Sequence, residues 1–514
     1  MGRIARAQRP YMLLTRRASV LRQSFLLSAD NLGRRVASGA GFKFLGIILR
    51  TVFTIGSTAV LARLLLPADF GYIAMASVIT EFAGLFASFG FTNVLIQRHR
   101  ITRLQTETIF WATLGLGALL TVAIYLASFM AHRLFDDAQV VPVLQLLSLN
   151  FLITSLTSVP HVAMARLMRF RAEFWIQILG AAVRAAVAIG CAWAGWGVLS
   201  LAAGGVAGSL AVMVAGFIYV PFLPRWRFHM PFITSTWRAS SSYFGSGILY
   251  YAYMNLDLLL IGRYIGATGL GYYQNARSLT DEIRARIAMP IQQVLFPALS
   301  SIQTDLPRAQ ALVMRSSRLL AAVVVPIGIG VSANADELVR VLYGERWHPM
   351  IPVLSMFGIA TALRSSTAAA SPLFNAANRP DLALGYNLVG TVLLVVSLML
   401  AMPYGMHAVG AAMAVSSLYS LVTCHRGLQL IGLGWREVFT TVTAPFAAAG
   451  LMWLATFVLR PYTQQWLGHP GPVLLAHVLM GALLYLLALP LLSRYYVHEL
   501  RLALQMLRAR GAHA

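Results

Sequence analysis

Residues 255–272 read NLDLLLIGRYIGATGLGY: Asn255 and Asp257, an apolar run, Gly262-Arg263, Gly266, and then Leu270-Gly271-Tyr272. The stretch has a counterpart 200 positions earlier. Arg263, Gly271 and Tyr272 fall on Arg63, Gly71 and Tyr72 without a gap, and Phe244, Ile248, Leu249, Ala276 and Thr280 fall on Phe44, Ile48, Leu49, Ala76 and Thr80. The acid Asp281 falls on Glu81. A constant offset over about forty residues, through two apolar segments and the turn between them, marks an internal duplication.

Composition supplies the solvent in which that duplication works. Hydrophobic residues make up 58% of the 514 and charged residues 11%, with a mean hydropathy of +0.70. This is the composition of an all-α polytopic membrane protein and excludes a soluble domain. The formal net charge of +23 would point to nucleic acid in a soluble chain; here no nucleic-acid partner is expected. The only lysine, Lys43, lies in Phe-Lys-Phe, so no Gly-Lys-Ser/Thr phosphate loop exists. Cys191 and Cys424 lie inside apolar runs and offer neither a disulfide framework nor a metal cage.

Residues 1–38 form a basic tail with Arg3, Arg6, Arg9, Arg16, Arg17, Arg22, Arg34 and Arg35 and lack the apolar core of a signal peptide. Apolar segments long enough to cross about 30 Å of hydrocarbon follow. They lie near 40–64, 69–96, 107–131, 141–165, 173–196, 198–222, 240–264, 270–300, 313–334, 350–376, 382–402, 406–424, 439–459 and 473–493. The expected architecture is thus about 14 transmembrane helices. With the repeat, 39–238 forms an N-terminal lobe (spans 1–6) and 239–430 a C-terminal lobe (spans 7–12). Two additional C-terminal helices occupy 431–495, and 496–514 is a second tail. The odd-numbered connections hold Arg63, Arg133, Arg263, Arg340, Arg346 and Arg460, while the tails and the even-numbered connections hold about 27 arginines. Positive charge stays inside, so both termini are expected in the cytoplasm. A second echo, Pro160 with Ala165 against Pro372 with Ala377, has drifted to an offset of 212. An insertion such as the acidic 335–349 loop would account for it.

Several motifs resemble those of a known family. Leu61 to Arg98, through Leu-Leu-Leu-Pro-Ala-Asp-Phe-Gly-Tyr and Phe89-Gly90, is similar to the N-terminal signature of bacterial polysaccharide transporters, the Wzx-type oligosaccharide flippases of the multidrug/oligosaccharidyl-lipid/polysaccharide (MOP) superfamily. Asn255, Asp257, Ile261-Gly262, Leu270-Gly271, Tyr273, Phe296-Pro297-Ala298-Leu299-Ser300, Leu342-Tyr343-Gly344 and Trp347 resemble the second-lobe signature. The resemblance covers roughly 40–430. It implies two six-helix lobes around a central cavity, and flipping of undecaprenyl-diphosphate-linked oligosaccharide across the bacterial cytoplasmic (inner) membrane for cell-surface or exopolysaccharide (including lipopolysaccharide) biosynthesis. A polysaccharide export complex is a further expected partner. The protein is then not an enzyme and needs no cofactor, and the sequence leaves open whether H+ or Na+ drives it.

Charges at mid-membrane each cost about 2.5–3.5 kcal/mol even on the lenient insertion scale and so call for a reason. Lys43, Arg50 and Ser57 are seven apart, nearly one line on a helix. Arg50, Arg184 and Arg364 fall near mid-depth in three spans, so Lys43, Arg50, Arg184 and Arg364 form the candidate cationic substrate site. The guanidinium fork suits a diphosphate. Glu81, Asp257 and Asp281 are the candidate ion-coupling acids. Arg277 and Arg284 share the helical line of Asp281, Arg50 is the sequence-near partner of Glu81, and no basic residue lies within a turn of Asp257. Tyr243 and Tyr250 match Lys43 and Arg50 in the repeat and offer aromatic faces to sugar. Two alternatives stand beside the flippase: a cation-coupled drug exporter of the same superfamily, which would want an acidic cavity, and a membrane-embedded polymerase or glycosyltransferase, which would want a large extracytoplasmic loop.

Overall fold

The computed structural model describes residues 49–88, 91–98, 101–167, 169–302, 305–493 and 495–497, with no strand among them. Helix α1 covers 49–64. It is followed by α2 (Pro67–Ser88), α3 (Phe91–Gln97), α4 (Arg103–Phe135), α5 (Val140–Leu156), α6 (Ser158–Arg166), α7 (Phe170–Trp193), α8 (Val198–Tyr219) and α9 (Met230–Tyr264). Next come α10 (Gly266–Ile283), a π-turn Arg284–Ala288, α11 (Met289–Ser301), α12 (Leu306–Ala333), α13 (Ala335–Leu342) and α14 (Ile351–Ser366). The chain ends with α15 (Ser371–Ala376), α16 (Pro380–Ala401), α17 (Met406–Ser417), α18 (Tyr419–Gln429), α19 (Trp435–Leu467) and α20 (Pro470–Leu492).

Each expected span falls on a helix or a broken helix pair. Nine helices among the described residues are long and apolar enough to cross a membrane, ten if the α5–α6 pair, bent by 47°, is one span. The others differ for physical reasons. Helix α1 is described only from residue 49; α9 and α10 interrupt their apolar face with Ser, Tyr, Arg and Asp; α14 runs for only 16 residues before it breaks.

The chain divides into two compact units, Met1–Gly271 and Tyr272–Ala514. The repeat boundary expected at 238/239 therefore lies inside the first unit, because α9 packs on α2. The Phe86 and Phe244 rings lie 4.7 Å apart and the Phe82 and Tyr251 rings 5.9 Å. The Tyr251 hydroxyl also donates to the Val78 carbonyl at 2.7 Å. Such aromatic pairs add about 0.5–1.5 kcal/mol each beyond area burial.

Within the units the elements recur in the same order, α4 to α8 in the first against α12, α14, α15, α16 and α17–α18 in the second. Helices α8 and α17 both start at a glycine with positive φ, Gly197 (54°) and Gly405 (83°), a conformation a side chain rarely adopts. Pro160 and Pro372 both sit near the start of the short piece that follows a break in a span. The offset of 200 persists to Asp136-Asp137 against Asp336-Glu337. The inserted material is thus the rest of α13 and the 3-10 turn Glu345–Met350, pinned by fully buried Trp347 against Tyr272 and Tyr343. Burial pushes the Tyr343 hydroxyl above the usual phenol range, and a hydrogen bond to Asp336 holds Arg340 firmly charged.

Helices α19 and α20 are held to the rest of the second unit by a buried polar cluster. Arg460 donates from Nε to Glu337 Oε1 at 2.8 Å and from a terminal nitrogen to Oε2, and Gln464 adds a third donor to the same carboxylate. His477 joins Asn334 at 3.0 Å and Thr463 at 2.8 Å through its two ring nitrogens. Removing one partner leaves a buried charge unmatched, which costs about 3–5 kcal/mol. Arg460→Met is therefore expected to lower the thermal midpoint of the purified protein by several degrees, and adding Glu337→Gln should recover part of the loss. A single variant with an unchanged midpoint would show that the pair does not hold these helices.

Candidate functional site

In the first unit the cationic side chains sit on two helices. Arg50, on α1, is exposed, and it lies near enough to Arg184, on α7, for the two positive charges to repel. Arg184 is accessible although protein surrounds it closely. Its placement follows from the small-residue contact between α7 and α8. A Cβ on Gly204 would lie 2.7 Å from the Ala188 Cβ, one on Gly180 2.5 Å from the Val212 Cγ2, and one on Gly208 2.9 Å from the Arg184 Cβ and 3.3 Å from its Nε. Glycine at these positions lets the helices close up, and the Arg184 side chain runs across the gap that Gly208 leaves. Lys43 lies outside the described residues. Ser57 satisfies itself within α1, donating to the Thr54 carbonyl at 3.1 Å.

The acids of this unit separate by environment. Glu81 is exposed and is engaged in a polar interaction. Asp257 is only 5% exposed. It stands one turn from fully buried Ile261 on α9, a helix that packs on α2 and α4. The carboxylate is not isolated, although no basic residue lies within a turn of it: it has a polar interaction of its own. Tyr243 and Tyr250 lie on α9 with side chains outside the described residues, and the stripe seen packed on α2 is the neighbouring one, Phe244 and Tyr251.

In the second unit, Asp281 is flanked as its spacing predicts: Arg277 Nε lies at 3.3 Å and Arg284 Nε at 3.4 Å. Glu282 pairs with Arg286 at 2.6 Å. The line Arg277–Asp281–Arg284 thus keeps one surplus positive charge. It ends in the π-turn, an element common at functional sites, and Arg284 Nε is buried there with no hydrogen bond. Arg364, half-buried near the end of α14, is followed by Ser365, whose hydroxyl is buried and unsatisfied, and by the break at Thr367. Among the described residues, Arg50, Arg184 and Arg364 have no carboxylate partner, whereas Arg263, Arg277, Arg284, Arg286, Arg340, Arg379 and Arg460 each have one.

Sequence reading missed the buried pair Glu337–Arg460 and the buried acid Glu107. The signal for the first was three polar residues, Arg460, Gln464 and His477, inside or beside the last two apolar runs.

The geometry has known counterparts. The lipid II flippase MurJ in an inward closed conformation superposes with a TM-score of 0.70 over 90% of this chain and 100% of its own, at 12% identity. A multidrug resistance MATE family transporter of the MOP superfamily, in an inward-facing conformation, gives 0.56 over 76% and 96% at 13% identity. These likenesses show the fold. In sequence, the lipopolysaccharide biosynthesis protein WzxC of Escherichia coli (strain K12) is 26% identical over 71% of this chain and 75% of its own length. The succinoglycan biosynthesis transport protein ExoT of Rhizobium meliloti (strain 1021) is 22% identical over 88% and 92%. The family model described as "Polysaccharide biosynthesis protein" matches residues 60–352, more than half of the chain, and the chain belongs to that family.

Proposed function

We propose that this multi-pass membrane protein is a flippase that moves a lipid-diphosphate-linked oligosaccharide from the cytoplasmic to the outer leaflet by alternating access, with both termini in the cytoplasm. The observation that carries this reading is the unmatched charge of Arg50, Arg184 and Arg364 in a chain of a polysaccharide-biosynthesis family. Unpaired arginines in membrane helices are costly unless an anion resolves them. A diphosphate supplies two or more negative charges and accepts paired N–H donors. A cationic drug would be repelled by the same groups. In this reading Lys43 joins the three arginines, and Tyr243 and Tyr250 serve the sugar. The test is reconstitution in liposomes with a diphosphate-linked oligosaccharide lipid, read by the access of a membrane-impermeant glycosidase to the sugar. Transfer no faster than in protein-free liposomes would overturn it.

Asp257 is the acid we assign to ion coupling. Asp281 is already held between two arginines, and Glu81 is exposed, so neither changes its surroundings greatly when helices shift. A carboxylate as deeply buried as Asp257 does, and an ion gradient can act on it: one charge across 100 mV is worth about 2.3 kcal/mol. Asp257→Asn is expected to abolish gradient-dependent transport, and Asp257→Glu to retain part of it. Gradient-dependent transport in the Asn variant at the unsubstituted rate would return Asp257 to a packing role.

A further inference from the structure

Between α8 and α9 the chain runs for ten residues without helix, and its side chains are arranged in a way the transport reading does not use. Leu223 and Trp226 are 84% and 83% exposed, and Phe228 and Met230 are also largely exposed. Arg225, Arg227 and His229 alternate with them, likewise exposed. The backbone is nonetheless fastened at four points by the first turns of α4. Arg103 donates to the Leu223 carbonyl at 3.3 Å, and the Trp111 indole donates to the Arg225 carbonyl at 2.9 Å. The Arg225 N–H donates to Glu107 Oε1 at 3.3 Å, and the His229 N–H to Thr108 Oγ1 at 3.1 Å. Phe222 is buried against Phe110, and the Trp111 ring supports that of Trp226 at 4.2 Å. Glu107, itself buried, accepts from both Arg103 and the loop backbone.

A loop held this firmly while displaying its large apolar side chains is a built surface. Its occupant follows from charge and position. Glu107, the carboxylate that touches the loop, is turned inward onto Arg103 and the backbone, and Arg225 and Arg227 have no ion pair among the described residues. The loop leaves the end of the membrane-spanning helix α8, where apolar and aromatic side chains meet the edge of the hydrocarbon and basic heads meet the phosphates. It is also the sixth connection, on the side where the tails and the even-numbered connections concentrate arginine. We propose that residues 223–230 form an anionic-phospholipid site of the cytoplasmic leaflet, with Leu223, Trp226 and Phe228 inserted among the acyl chains and Arg225 and Arg227 on the headgroup phosphate.

The test uses the full-length protein in vesicles of phosphatidylcholine containing a minority of phosphatidylglycerol, with bromine on the chains of one lipid or the other. The difference in tryptophan quenching between the unsubstituted protein and Trp226→Phe isolates the signal of Trp226. That signal is expected to be quenched by both brominated lipids, and more strongly by phosphatidylglycerol than its share predicts. Each of Arg225→Gln and Arg227→Gln should reduce the preference roughly fivefold, and Arg225→Lys with Arg227→Lys should keep most of it, which separates charge from folding. Equal quenching by the two lipids in proportion to their amounts would overturn headgroup recognition. No quenching by either would overturn the lipid site altogether and leave the face to a cytoplasmic protein. Either failure leaves the flippase reading standing, since liposome transfer of the oligosaccharide lipid is measured separately.

Discussion

Replacing Arg50 and Arg364 together by glutamine is expected to abolish export while the protein remains in the membrane at its usual abundance. A hydrogen bond from a charged group contributes about 1.5–3 kcal/mol, so each arginine on the diphosphate is worth about tenfold to a hundredfold in affinity, and the two together about a thousandfold. Folding should not suffer. Neither side chain is tied to a carboxylate among the described residues, and losing Arg50 relieves its repulsion with Arg184. Arg277→Gln is the contrasting variant: it breaks the 3.3 Å pair with Asp281 and should lower stability as well as transport. Surface polysaccharide in a complemented deletion strain, with membrane abundance measured beside it, reads both. Undiminished export by the double variant would remove the anion-binding mechanism.

What the sequence displayed and what it hid divide along one line, whether the partners lie on the same helix. Arg277, Asp281 and Arg284 are four and three apart, so their pairing was legible before any tertiary structure. The recurrence of Arg63, Gly71 and Tyr72 at Arg263, Gly271 and Tyr272 was legible because an offset needs no structure to be seen. Asp257 looked isolated because the spacing of basic residues along α9 reports neither its burial nor its other polar contacts. Glu337 and Arg460 are 123 residues apart and meet only because α19 packs along α12, at whose end α13 begins. Arg184 could be placed near mid-depth from its distance to the start of its span, but that its side chain crosses Gly208 depends on the α7–α8 interface. Apolar windows also located the spans better than their ends. Helices α9, α12 and α19 extend well beyond the 240–264, 313–334 and 439–459 windows, since a helix continues into polar sequence as long as its backbone bonds are made.

The contact richest in consequence lies where residues 200 apart meet. A Cβ on Gly71 would stand 1.8 Å from the carbonyl oxygen of Ala267, and a Cβ on Gly271 would stand 2.0 Å from the carbonyl oxygen of Pro67. Pro67 and Ala267 are themselves separated by 200, as are Gly71 and Gly271. The contact is therefore reciprocal, the pattern of a two-fold axis, in which each residue touches the counterpart of its own counterpart's neighbour. Backbone meets backbone there, so no flexible side chain can yield. Gly71→Ala and Gly271→Ala must push the starts of α2 and α10 apart, and overpacking of this kind costs about 1–3 kcal/mol or more. Each variant is expected to lower the thermal midpoint of the purified protein by several degrees, and to reduce export through loss of folded protein. The pair should cost less than the two single effects added, because the first methyl already opens the space that the second would occupy. Gly115→Ala is the control: a Cβ there meets nothing within 4 Å, and in a helix interior alanine is favoured over glycine by about 1 kcal/mol, so its midpoint should stay level or rise. If Gly71→Ala melted with the unsubstituted protein, or if the two glycine variants were strictly additive, the reciprocal contact would not exist in the folded membrane protein and the two-fold reading of the repeat would lose its physical anchor.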